Sequence, residues 1–161
     1  MLTRTRWLFL ALLVAACDAQ NDGLQKVERI QLILSGWASM DIEVNISGEG
    51  RYTINHGVSS AQAVSGSFVI SPQKFADLAN LLKPFQSRSV PLTKSSIDRL
   101  MTWTCPKPST RINDAGAFYV QWTGPRLNNY YYADFGCDAN KMKARNAELR
   151  AIMRSLPVPT L

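Results

Sequence analysis

The chain has 161 residues, is 46% hydrophobic and carries a formal net charge of +6. These values suit one domain with a real hydrophobic core. The apolar run over residues 7–16 is too short to cross roughly 30 Å of hydrocarbon, which excludes it as a retained membrane-spanning helix.

The N-terminus is typical of an export signal. Arg4 and Arg6 give it a positive start, and the apolar run ends in a Val-Ala-Ala-Cys motif at 14–17. This motif resembles the lipobox of bacterial lipoproteins. The resemblance implies cleavage after Ala16, a diacylglycerol thioether on Cys17 and acylation of the new amino terminus, because two or three chains give lasting attachment.

An alternative for the same segment is ordinary secretion, with cleavage near Ala16 or Ala19 and a free thiol at Cys17. Asp18 resembles the signal that keeps enteric lipoproteins in the inner membrane, although it can equally be the first residue of a polar tether. That tether, residues 18–25, can span at most about 28 Å.

The lipobox therefore implies three segments and a location. Residues 1–16 are a signal peptide, 17–26 a lipidated N-terminus and tether, and 27–161 a single domain. The expected location is the periplasmic side of the cell membrane, with Asp18 favouring the inner membrane and the outer membrane left open.

The cysteines fit an oxidising compartment. With Cys17 committed to lipid, Cys105 and Cys137 remain as a pair and predict a disulfide. Its closed loop would contribute about 4 kcal/mol through the lost entropy of the unfolded chain. No metal or cofactor is expected, because two thiols and the single His56 are too few ligands for zinc.

Four strands are predicted in the first half of the domain. Alternating apolar residues place them at 27–34, 40–46, 51–56 and 64–70, with Ile46 and Val64 among the inward positions. A tight turn is expected at Gly48-Glu49-Gly50, and strands that follow one another in this way suggest a meander.

The second half predicts helices and a hairpin. A helix starts at Ser71-Pro72 and ends at Pro84, and one or two helical turns are expected within 90–101. A second hairpin joins 117–123 to 129–135. The last helix covers 138–155, with Asp138 as its cap and Met142 in its apolar stripe.

The predicted fold class is α+β, an antiparallel sheet in the order ββββα(α)ββα with helices packed on one face. Together with the lipobox, the Gly-Glu-Gly turn and a Phe-Gly-Cys-Asp segment at 135–138 resemble small uncharacterised envelope domains of proteobacterial lipoproteins. Those families often carry a Cys-rich segment where this chain reads SGWASM at 35–40. The resemblance names no activity.

Catalytic candidates are few. His56 is the only histidine, and a strand-end imidazole without a catalytic role is its simplest interpretation. Asp41 and Glu43 share a strand face. They are either paired carboxylates of an acid/base site or ordinary solvent-facing residues. The motifs Gly-x-Ser-x-Gly and His-Glu-x-x-His are absent from the sequence, so it predicts a protein that is not an enzyme.

Binding has more support, from exposed aromatic rings that can stack on sugars or fill partner pockets. Trp37, Tyr130 and Tyr132 are the candidate binding residues, the two tyrosines facing away from the core by strand alternation. The alternative is a two-sided strand that simply favours tyrosine.

The expected partners follow from the compartment and the charge. The first is the membrane, reached through the lipid anchor. The second is peptidoglycan, lipopolysaccharide or an envelope protein, and no nucleic acid is expected. Without Arg4 and Arg6 the charge falls to +4, which fits anionic partners or a solvated surface. The leading hypothesis is a non-enzymatic tethered binding module, the alternatives being an inhibitor or assembly factor for another envelope protein, or a cell-wall enzyme.

Overall fold

The computed structural model describes residues 26–57, 62–107 and 109–160, so the predicted signal peptide, Cys17 and Asp18 lie outside it. Seven strands and three helices follow one another along the chain. Their bounds are β1 Arg29–Ser35, β2 Ser39–Asn45, β3 Glu49–Asn55, β4 Val64–Val69, α1 Pro72–Gln86, β5 Val90–Pro91, α2 Lys94–Met101, β6 Ala117–Gly124, β7 Leu127–Asp134 and α3 Lys143–Arg154.

All seven strands form one antiparallel sheet in the order β4-β3-β2-β1-β6-β7-β5. The first four strands make the predicted meander, and β6 and β7 make the predicted second hairpin. β1 joins the two halves by pairing with β6, Leu32 opposite Val120. The α+β fold with an antiparallel sheet is thereby confirmed, with the two-residue β5 as an addition.

The hydrophobic core lies on one face of this sheet. Inward side chains of β1, β2 and β6 alternate with polar ones, as the sequence predicts, and α1 and α3 cover them with their apolar stripes. The buried set includes Ile30, Leu32, Ile42, Val44, Phe118, Val120, Trp122, Phe75, Leu78, Leu82, Phe85, Leu149, Ile152 and Met153.

The β2–β3 turn is shifted from its predicted place. Gly48 has a φ of +89° and lies in the turn, whereas Glu49 and Gly50 already belong to β3. Ile46 and Val64 are exposed instead of inward, because Ile46 falls in the turn and Val64 begins the edge strand β4.

The start of α1 is confirmed and its end is not. The Ser71 hydroxyl accepts a hydrogen bond from the backbone N–H of Lys74, and Pro72 occupies the first turn. The predicted end at Pro84 is wrong, since α1 continues to Gln86. Pro84 lies in the last turn, where buried Phe85 packs against Tyr131 with 5.4 Å between ring centroids.

The prediction for the last helix is also wrong at its beginning. α3 starts at Lys143, and no side chain caps it. Asp138, the predicted cap, has a φ of +47° and bonds to Thr110 instead. Its carboxylate accepts the backbone N–H of Thr110, and its own backbone N–H donates to the Thr110 carbonyl. Met142 precedes the helix and is exposed.

α2 contacts the face of the sheet opposite the core, so the predicted packing of helices on one face holds for α1 and α3 but not for α2. Tyr130 belongs to this opposite face, and its hydroxyl donates to the carbonyl of Ser96 in α2 at 2.9 Å. A capping box between Thr93 and Ser96 begins this helix. Within the described residues, no helix has the length and apolar character needed to cross a membrane.

Candidate functional site

A cleft of 620 Å³ opens at one end of the sheet, where several chain segments meet. The turn after β1 provides Trp37, the loop after β3 provides Gly57, and the end of β7 provides Tyr132 and Asp134. The loop before β6, residues 109–116, forms the remaining wall with Arg111 and its neighbours.

Glycine allows these segments to pack against one another. Gly116 has a φ of +82°, and a Cβ there would lie 2.2 Å from the carbonyl oxygen of Ser35. Gly57 has a φ of +78°, and a Cβ there would lie equally close to the carbonyl oxygen of Trp37. Any larger residue would push the walls apart.

Hydrogen bonds and a disulfide hold the 109–116 loop in place. The Ile112 N–H donates to the Gly136 carbonyl, and the Phe135 N–H donates to the Gly116 carbonyl, each at 2.9 Å. Cys105 is joined to Cys137 by the predicted disulfide, directly beside this pairing.

Two arginines of α3 support the cleft from behind. Arg150 donates to the Ala115 carbonyl at 3.1 Å and stacks over the Phe135 ring, and Arg145 donates to the Asp134 carbonyl at 2.9 Å. These side chains therefore brace the wall through direct contacts and do not point only to solvent.

The polar centre of the cleft is Asp134, which is only 9% exposed. One of its carboxylate oxygens accepts the backbone N–H groups of Gly136 and Cys137, at 2.7 and 3.2 Å. The other oxygen lies 3.9 Å from the Arg111 guanidinium, whose side chain stays half exposed. Arg111 can therefore reach a ligand while Asp134 holds it over the cleft.

The electrostatics of this centre extend to Tyr132. Burial raises the pKa of the Tyr132 hydroxyl above its ordinary value of 10.0, and the nearby Asp134 carboxylate raises it further, while Arg111 acts in the opposite direction. The phenol is therefore a neutral donor and acceptor across the physiological pH range.

The structure separates the three predicted binding residues. Trp37 and Tyr132 line the same cleft, and Trp37 is 77% exposed on its rim. Tyr130 is only 6% exposed, stacks on Tyr119 at 5.6 Å between ring centroids and bonds to Ser96. These contacts fix α2 to the sheet, and Tyr130 also lines a smaller cavity together with Tyr132.

The predicted catalytic candidates lie elsewhere. Asp41 accepts both its hydrogen bonds from Gln31, and Glu43 pairs with Arg29 and Arg51 on the outer sheet face. His56 is exposed just after β3, at the strand end expected from the sequence. Among the described residues, no group of three or more His, Cys, Asp or Glu side chains is arranged to hold a metal ion.

Sequence reasoning missed Arg111, Ile112 and Asp134 as site residues. The available signal was the turn sequence at 113–116, where Asp114 and Gly116 both adopt positive φ. Nothing in the spacing shows that this turn meets Ser35 and Gly36, because their contact depends on the pairing of β1 with β6.

No protein-family model matches the chain, and no curated protein is significantly similar to it.

Proposed function

We propose that this protein is a non-enzymatic lipoprotein, tethered to the membrane through Cys17, whose cleft binds peptidoglycan. The observation that carries the proposal is the exposed Trp37 ring beside Arg111 and Asp134 in one cleft. An exposed aromatic ring, a guanidinium and a carboxylate form a combination suited to a sugar polymer that bears amide and carboxylate groups.

The lipobox supports the tether. Its motif at 14–17 precedes a polar segment, and a lipid on Cys17 would hold the domain on the periplasmic side of the membrane. Asp18 favours the inner membrane. Mass spectrometry of the N-terminal peptide should find a diacylglycerol-modified Cys17, and an unmodified thiol there would contradict the anchor.

The orientation of the sheet favours a partner that lies away from the bilayer. The Lys26 carbonyl lies against Gly124, at the turn between β6 and β7, and the Glu28 N–H donates to the Thr123 carbonyl there. β1 then runs from Arg29 to Ser35 and reaches the cleft after about 20 Å. The attachment end and the cleft are therefore opposite ends of the domain.

Each cleft group has a role in the proposed complex. Trp37 offers a ring face on which a pyranose can stack, and Arg111 offers paired N–H donors to a carboxylate of the stem peptide. Asp134 is placed to accept hydrogen bonds from sugar amides and hydroxyls, and the Tyr132 hydroxyl is placed to donate or accept them.

The test uses the purified domain and insoluble peptidoglycan sacculi in a co-sedimentation assay. Trp37→Ala should lower the apparent affinity about tenfold, which corresponds to the stacking energy of one ring. The matched control is Val69→Ala, because Val69 is equally exposed, at 76%, and lies at the attachment end. Equal binding by both variants would overturn the proposal.

An envelope protein is the second candidate partner, and Ile112 favours it. This side chain is 56% exposed and lines the same cleft as Trp37, so the two form an apolar pair of the kind found at protein interfaces. An inhibitor or assembly factor would use this pair. Ile112→Ser should then abolish cross-linking to a protein and leave sedimentation with sacculi intact.

A further inference from the structure

A second cavity, of 210 Å³, lies at the edge of β7 where β5 ends. Rings and guanidinium groups line it, namely Trp103, Tyr130, Tyr131, Tyr132, Arg88 and Arg99. This volume is below the roughly 300–1,000 Å³ of pockets that enclose drug-sized ligands, so the cavity suits one ring-sized unit.

The cavity and the cleft share Tyr132 as a lining residue. Tyr132 lines both, and the Trp103 ring meets it edge-on, with 5.5 Å between centroids and 67° between planes. Three rings therefore follow one another across this end of the sheet: Trp37, Tyr132 and Trp103.

Positive groups accompany the rings on both sides. Arg111 stands on the cleft side of Tyr132 and Arg99 on the cavity side, where Arg88 is already engaged over the Phe85 and Tyr131 rings. Arg99 is exposed on α2 and can turn its guanidinium toward a ligand. The cleft and the second cavity thus each combine an aromatic ring with an arginine.

We infer that the second cavity is a subsite for the next repeat of the same polymer, so that the protein recognises an extended, carboxylate-bearing glycan strand. This inference rests on the proposed function. Two linked sites on one rigid surface bind a longer ligand more tightly than a short one, because the second contact is intramolecular.

The experiment compares two soluble peptidoglycan fragments, a disaccharide peptide and its dimer of two linked disaccharides, by titration calorimetry with the purified domain. We expect the dimer to bind at least about tenfold more tightly. Trp103→Ala and Arg99→Gln should both reduce the ratio of the dimer affinity to the disaccharide affinity toward one. Lys94→Gln is the control, since it removes a charge from the same helix outside the cavity and should keep the full ratio.

The outcomes separate this inference from the proposed function. Equal affinity for the two fragments, with both still weakened by Trp37→Ala, would overturn the second subsite and leave the cleft in place. Failure to bind either fragment would overturn the proposed function. Because Trp103 packs on Tyr132 and its loss can disturb the fold, Arg99→Gln must also lower the ratio; an unchanged ratio in that variant contradicts the inference.

Discussion

The shape of the cleft depends directly on Gly116, as it does on Gly57. The Gly116 φ of +82° lies in the left-handed region, and a Cβ would meet the Ser35 carbonyl at 2.2 Å. A positive φ alone costs an alanine about 1–2 kcal/mol, and the steric clash adds to this. Gly116→Ala should therefore lower the free energy of unfolding by at least about 2 kcal/mol, measured by urea denaturation.

Gly36→Ala is the matched control for that measurement. Gly36 lies in the same cleft, but a Cβ there would be 3.7 Å from its nearest neighbour, the Ala38 carbonyl oxygen, which is ordinary contact. Its substitution should cost less than about 1 kcal/mol. Equal losses in the two variants would show that Gly116 has no special role.

The pKa of the Tyr132 hydroxyl is raised by burial and by the Asp134 carboxylate, and Arg111 opposes both effects. Arg111→Gln removes the opposing charge and should move the pKa of Tyr132 further upward, as followed by ultraviolet spectroscopy of tyrosine ionisation. A downward shift would mean that Arg111 does not act on this hydroxyl.

The raised pKa of Tyr132 also determines how stability changes with pH. Folding favours the neutral phenol, so the contribution of Tyr132 to stability is complete below its ordinary pKa of 10.0 and is lost as the pH rises through the higher folded value. Alkaline unfolding above pH 10.0 should therefore be coupled to ionisation of Tyr132.

At the scale of elements, α2 depends on its cap. Eight residues are too few for a helix to be stable alone, and the Thr93 hydroxyl accepts the Ser96 N–H while the Ser96 hydroxyl accepts the Thr93 N–H. Thr93→Ala should cost about 1 kcal/mol and speed hydrogen exchange of the α2 amides. Ser95→Ala, at an exposed position of the same helix, should leave exchange unchanged; faster exchange in both variants would contradict the role of the cap.

Alternation predicted six of the seven strands, because each of them presents one face to the core. The two-residue β5 is too short to show a period, and the errors at Pro84 and Asp138 arose from tertiary contacts. The packing of Phe85 on Tyr131 holds the helical turn that contains Pro84. The Asp138 carboxylate accepts the Thr110 N–H and therefore does not cap a helix. Local propensity was overridden where a distant segment supplied a partner.

At the scale of the whole molecule, the cleft was not readable from the sequence. Strand alternation placed Tyr132 on the outer face, but Trp37 and Tyr132 line one cleft only because β1 pairs with β6 across more than half the chain. Alternation also placed Tyr130 on the outer face, but it could not show that α2 bonds to its hydroxyl and leaves it nearly buried. Both facts depend on contacts between distant residues, about which a local period carries no information.

The same architecture makes the reach of the tether a testable quantity. Under the proposed anchor at Cys17 and the proposed ligand in the cleft, the distance from bilayer to ligand is the length of the domain plus that of the tether. The tether, residues 18–25, spans at most about 28 Å. Deleting residues 20–23 preserves the lipobox and Asp18 but shortens the reach by up to about 14 Å.

We expect this deletion to reduce cross-linking of the protein to peptidoglycan in intact cells, while the purified domain binds sacculi as before. Replacing the same four residues with a Gly-Ser segment of equal length is the control and should preserve cross-linking, because length and not sequence sets the reach. Undiminished cross-linking by the shortened protein would mean that the cleft does not have to cross a gap to its ligand, and would favour a partner held at the membrane surface.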